Sequence, residues 1–196
     1  IRESSETEQL SRAGLREDED IFASVWDSVK NRWSWLAINM VTAFIASRVI
    51  GAFEGSIEKL VALAALMPIV AGIGGNSGNQ TITMIVRALA LGQVQQESAR
   101  VLLRKELGVA MVNGLIWGSL LGFVAWWLYR SVALGAVMTA AMMLNLIVAA
   151  TVGVAVPLLR QRLGYDPAIG SSVLITAVTD SGGFFIFLGL ATVFLL

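Results

Sequence analysis

The chain has 196 residues, 56% of them hydrophobic and 14% charged, with a formal net charge of zero. Its mean hydropathy of +0.74 lies outside the range of soluble domains and within that of proteins that cross a membrane several times. With no cysteine and no histidine, disulfide scaffolds, zinc fingers, haem ligation and imidazole-based catalysis are excluded.

The chain opens on Ile1, with no basic-then-apolar leader ahead of its first apolar run. It is expected to be part of a longer polypeptide. Residues 1–32 are polar, and the acidic run Glu17, Asp18, Glu19, Asp20 suits a helix N-terminus. Ile21, Phe22, Val25, Trp26 and Val29 then fall on one helical face. This spacing predicts an amphipathic helix feeding the first membrane span.

Five long apolar stretches follow, over about 33–53, 57–91, 105–129, 131–163 and 167–196. About twenty residues cross the hydrocarbon, so each is long enough. Pro68 and Pro157 are expected kink points. Asp166-Pro167 reads as an N-cap and first-turn proline that start the last span. Lys30, Arg32, Arg87, Arg100, Arg104, Lys105, Arg160 and Arg162 fall on one side, against Arg48, Lys59 and Arg130 on the other. The positive-inside rule then places the N-terminus in the cytoplasm and the C-terminus outside. Trp33 and Trp35, and Trp126, Trp127 and Tyr129, fit aromatic belts at the two boundaries.

The second stretch carries GIGGNSGNQTIT, a poor sequence for a lipid-facing helix. Asn76, Asn79, Gln80, Thr83 and Arg87 share one helical face. Gly72, Gly74, Gly75 and Gly78 permit either an unwound segment with free carbonyls or very close helix approach. The last stretch matches it with Ser172, Thr176, Thr179, Asp180 and Gly183. Asp180 is the only charge after Pro167, and an ionisable group at bilayer depth costs roughly 2.5–3.5 kcal/mol. Counted from the cytoplasmic ends, Asp180 and Asn79 lie at one level, roughly 20 Å deep, and Thr83 and Thr176 share another. Two polar faces so matched suggest a shared lining. Polar groups in membrane helices also serve as interhelical glue worth about 0.6 kcal/mol each, and Asn145 suits either role.

Carboxylate, amide, hydroxyl and carbonyl oxygens without sulfur or imidazole favour hard cations such as Mg²⁺, Ca²⁺ or Mn²⁺. One carboxylate per chain is thin for a divalent ion, and a two-fold dimer would supply two. The Gly114, Gly118, Gly122 ladder predicts close packing, within or between chains. No nucleotide-binding loop or catalytic triad is present, so no enzyme activity is expected.

Residues 67–90, MPIVAGIGGNSGNQTITMIVRALA, resemble the signature of the MgtE-type magnesium transporter family. Residues 166–191, DPAIGSSVLITAVTDSGGFFIFLGLA, resemble that family's last helix, and the likeness extends over about 33–196. It implies an all-α integral membrane protein with five transmembrane helices per chain, a homodimer with a central pore. It implies that Asp180 holds a hydrated Mg²⁺ there, aided by Asn79, Thr83, Ser172 and Thr176 and by the Gly75–Asn76 segment; some relatives carry asparagine at the position of Ser172. It further implies that residues 1–32 form a cytoplasmic linking, plug-type helix and 33–196 the ion-conducting domain, with cytoplasmic regulatory domains elsewhere in the polypeptide. The expectation is a channel-like transporter of Mg²⁺, with Mn²⁺, Co²⁺ or Ca²⁺ as other ions, in a bacterial inner membrane. Its expected partners are a second copy and membrane lipid, not nucleic acid. The alternatives are a proton- or sodium-coupled divalent-cation exporter and a membrane anchor whose polar faces only pack.

Overall fold

The computed structural model describes residues 22, 24–93 and 98–196, and among them every regular element is a helix. These are α1 (Val25–Ala52), α2 (Glu54–Lys59), α3 (Ala62–Ala90), α4 (Ala99–Tyr129), α5 (Val132–Arg162) and α6 (Ser171–Leu195). The acidic run at 17–20 and Ile21 lie outside the described residues; Phe22, Val25, Trp26 and Val29 of the segment expected to be amphipathic are exposed. Four helices, α1, α4, α5 and α6, are long and apolar enough to cross a membrane. α3 is also long, at 29 residues, but its glycine- and amide-rich middle dilutes its hydropathy. The chain is an all-helical, multi-pass membrane protein.

Three boundaries differ from expectation. α1 begins at Val25, where Ser24 Oγ accepts a hydrogen bond from the Asp27 amide at 3.2 Å. It runs through position 33 without a break, so the expected feeder and first span are one helix. The second stretch breaks at Leu60, whose extended backbone (φ −138°, ψ 84°) separates α2 from α3. The last stretch starts late. Asp166 does not cap a helix: its Oδ1 accepts from the Ala168 amide at 2.8 Å, and its carbonyl accepts from Arg160 Nε at 3.0 Å. Those bonds close a local turn instead. α6 starts only at Ser171, after Gly170 in the left-handed conformation (φ 60°) that glycine adopts without strain. Pro68 and Pro157 both sit inside helices that continue past them.

α4 and α5 form a hairpin turned by left-handed Arg130 (φ 54°) and by Ser131, whose Oγ accepts from the Leu134 amide at 3.1 Å. The glycine ladder of α4 faces α5 of the same chain. Thr139 Oγ1 donates to the Gly118 carbonyl at 3.0 Å, and a Cβ added to Gly122 or Gly135 would lie 2.6 Å from the other's carbonyl oxygen. The ladder therefore packs within the chain. α3 and α6 pack on α5 and on each other, and α1 leans on α6. Phe187, Leu63, Met138, Met142 and Leu146 fill the core. Ile116, Trp117, Leu120 and Phe123 of α4 stay exposed, as lipid-facing side chains do.

Candidate functional site: the polar faces of α3 and α6

α3 is helical throughout its amide-rich stretch. The unwound alternative is not adopted; the glycines serve close approach. Gly74, Gly75 and Gly78 are buried. The Asn145 carboxamide fills the space beside Gly74, and Ile175 lies over Gly78. Thr179 Oγ1 is 3.3 Å from where a Cβ on Gly75 would stand. Each contact removes a place where a side chain would force α3 away from α5 or α6.

These contacts also set the register of two antiparallel helices. Gly75 of α3 opposes Thr179 of α6, and Gly78 opposes Ile175. The level of Asp180 on α3 is therefore Ile73–Gly74, and Asn79 lies about one and a half turns away, nearer the start of α6. Asn79 and Asp180 are neighbours along the lining and not directly opposed as counted from the helix ends. The reason is that α3 continues about two turns past the level at which α6 begins. Thr83 falls near the level of Ser172.

Most of the expected polar face of α3 is turned outward. Asn76, Gln80, Thr83 and Arg87 are exposed and Asn79 is half-buried, whereas Gly74, Gly75, Gly78, Thr81 and Ile82 point inward. On α6, Thr176 is exposed, and Ser172 and Asp180 are half-buried. Thr179 and Gly183 belong to the packed side: Thr179 Oγ1 donates to the Ile175 carbonyl at 2.9 Å, and Gly183 makes room for Asn145. Among the described residues nothing forms an ion pair or a hydrogen bond with the Asp180 carboxylate. Arg48 lies over the Phe44 ring at 5.4 Å, and Arg87 is exposed. Among the described residues, no three acidic side chains converge into a metal-binding cluster.

The hydrogen bonds give this lining a polarity. Asn79 Nδ2 donates to the Gly75 carbonyl at 3.1 Å, leaving Oδ1 without a partner. Thr176 Oγ1 donates to the Ser172 carbonyl at 2.9 Å, which leaves its lone pairs free. Each side chain turns one proton back onto its own helix. Thr176 Oγ1 and the Asp180 carboxylate thus offer acceptors on this surface, whereas Asn79 Oδ1 is buried and unpartnered. Gly75 contributes packing space, its carbonyl being occupied by Asn79.

Two buried polar residues had no clear role in the sequence. Asn145 is fully buried between α3 and α6, with Nδ2 donating to the Val70 carbonyl at 2.8 Å. The signal for it was the pair Gly74 and Gly183, whose missing side chains admit the amide. Glu106 of α4 is also buried, bonded to Thr81 of α3, and no spacing pattern singled it out.

The family model MgtE, described as a divalent cation transporter, matches residues 67–190, a range containing the polar faces of both α3 and α6. Over its whole length the chain is 33% identical to the magnesium transporter MgtE of Thermus thermophilus, covering 44% of that protein. It is 29% identical, again over its whole length, to the magnesium transporter MgtE of Bacillus subtilis, covering 43%. To that of Enterococcus faecalis it is 25% identical over 90% of the chain, covering 39% of the relative. The chain thus spans less than half the length of these relatives.

Proposed function

The chain belongs to the MgtE family of divalent cation transporters, and from that premise we propose that it conducts hydrated Mg²⁺ into the cytoplasm as half of a homodimeric pore lined by α3 and α6. The observation that carries this reading is Asp180, a carboxylate with no protein partner among the described residues, on a helix otherwise free of charge. Around it Asn76, Gln80, Thr83 and Thr176 are exposed on the surface of a single chain. Polar groups at that depth need water or protein against them. A second copy placed across these faces would enclose a wet conduit and bring two carboxylates to it. In this arrangement α3 is the fifth span, the N-terminus is cytoplasmic and the C-terminus external.

The acceptor lining suits an ion that keeps its shell. Mg²⁺ dehydrates reluctantly, so Asp180, Thr83, Ser172 and Thr176 receive hydrogen bonds from its waters, Asn79 flanks them, and Asn76 and Gly75 shape the opposite wall. Two charges moving through 100 mV gain about 4.6 kcal/mol, so no coupled ion is required. The relatives named as magnesium transporters support Mg²⁺ as the cargo, with Mn²⁺, Co²⁺ and Ca²⁺ as competitors. The same lining in a membrane with an open sodium or proton gradient would serve a coupled exporter only if Asp180 exchanged its ion for that partner.

The test is uptake by cells lacking other Mg²⁺ importers. Asp180→Ala is expected to abolish growth rescue while cross-linking still traps the dimer. Unchanged uptake would remove the site. Flux into liposomes at clamped pH, with and without a sodium gradient, is expected to be the same; dependence on either gradient would establish the exporter.

A further inference from the structure

Glu106 sits about two turns into α4, beside Lys105, and is 4% exposed. One oxygen, Oε2, accepts from Thr81 Oγ1 of α3 at 3.1 Å. Among the described residues the other has only Lys105 Nζ at 3.9 Å, on a side chain that is 66% exposed. A carboxylate in such a place is costly and is kept for a reason.

Helix packing makes the contact unusual. α4 packs chiefly on α5, and α3 packs on α5 and α6. The Thr81–Glu106 bond ties α3 to α4 past the shoulder of α5, and α5 gives way at Gly153. A Cβ there would lie 2.9 Å from Cβ and Cγ2 of Thr81. Thr81 stands two residues from both Asn79 and Thr83, which is about 200° around the helix in either direction. Holding Thr81 inward therefore holds Asn79 and Thr83 outward. The rest of the inward face of α3 includes Gly74, Gly75 and Gly78 and the apolar side chains of Ile82, Ile85 and Val86, whose contacts are non-directional, so the Thr81–Glu106 bond supplies the direction on this half of the helix.

We propose that Glu106 is a positioning residue for ion conduction: through Thr81 it fixes the rotation of α3 about its axis and so presents Asn79 and Thr83 to the pathway. The proposal rests on the conduction reading above for its consequence, but its geometry is testable without flux. The chain contains no cysteine, so Thr83→Cys in the full-length protein in liposomes gives one reporter in this region for a charged thiol reagent. Adding Glu106→Ala is expected to slow labelling severalfold. Glu106→Gln, which keeps an acceptor oxygen for Thr81, is expected to restore it. In proteins with Thr83 intact, Glu106→Ala and Thr81→Val are each expected to lower Mg²⁺ flux about ten-fold, the scale of one lost buried hydrogen bond. The double variant is expected to be no worse than either single, and Thr81→Ser to stay within about two-fold of the parent. Unaltered labelling with Glu106→Ala overturns the proposal, as does strict additivity of the two substitutions. Should Glu106→Ala not reach the membrane, Thr81→Val with the same reporter decides the matter. Absence of flux in the parent protein would defeat the conduction reading alone, because the labelling arms would still report the rotation.

Discussion

Asn145 and Val70 are joined by a 2.8 Å hydrogen bond from the carboxamide nitrogen to the main-chain carbonyl, and that bond pins α5 to α3 beside α6. The amide occupies a notch formed by Gly74 on one side and Gly183 on the other. Its oxygen has no partner. Space, more than hydrogen-bond count, makes the contact specific.

Asn145→Ala is expected to cost about 1–2 kcal/mol, from a lost interhelical bond and the hole it leaves. Gly74→Ala is expected to cost about 1–3 kcal/mol by overpacking. Because the two occupy one volume, the double variant should be more stable than the sum of the singles implies. Thermal unfolding of the purified protein in detergent measures all three, and simple additivity would contradict the shared notch.

Charge and shape at position 180 can be separated by flux into liposomes. Asp180→Asn keeps the shape and is expected to lower Mg²⁺ flux about a hundred-fold, as loss of a charge-assisted contact of 2–3 kcal/mol implies. Asp180→Glu keeps the charge and should fall between the two. Equal flux in the parent and Asp180→Asn would show that the carboxylate attracts nothing.

Two threonines of α6 should behave differently. Thr176 is exposed on the polar face, whereas Thr179 is buried and bonded to its own helix. Thr176→Val is expected to lower flux severalfold and shift the Mg²⁺-to-Mn²⁺ ratio with the unfolding temperature unchanged. Thr179→Val is expected to shift stability and leave that ratio alone. A swap of these phenotypes would mean that the polar face has been assigned to the wrong side of the helix.

The α4–α5 seam offers a contrast between two glycines of one helix. At Gly122 an added Cβ meets Thr139 Oγ1 and the Gly135 carbonyl, a main-chain atom that cannot turn aside. Nothing lies within 4 Å of such a Cβ at Gly108. Gly122→Ala is therefore expected to cost about 1–3 kcal/mol, while Gly108→Ala is neutral or gains up to about 1 kcal/mol in helix propensity. Unfolding curves of the two variants side by side check it.

Apolar run length and periodicity revealed most of the helices and the polar face of α3, because Asn76, Gln80, Thr83 and Arg87 recur at helical spacing in an apolar background, but on α6 the same spacing put Thr179 and Gly183 on the polar side although both are packed. Other features depend on contacts that no local pattern encodes. Asp166-Pro167 has the composition of a helix start, yet the bonds to Ala168 and Arg160 make a turn there, and the helix waits for Gly170. The break at Leu60 carries neither glycine nor proline. The α3–α6 register follows from which glycine receives which side chain, so counting from helix ends misplaced Asn79 by about one and a half turns. Glu106 was hidden beside Lys105, where a charged pair reads as the end of a span; only the approach of Thr81 shows that it is buried.

Trp35 of α1 lies on Gly170 at the head of α6, and Ser56 of α2 shares a 2.7 Å hydrogen bond with Thr192 near its foot. Phe53 meets Phe185 edge-on in between, with ring centroids 5.9 Å apart. α1 has little else to lean on. Through Trp35, and through Phe53 and the Ser56 of α2 that follows it, it is an outrigger lashed to both ends of the Asp180 helix.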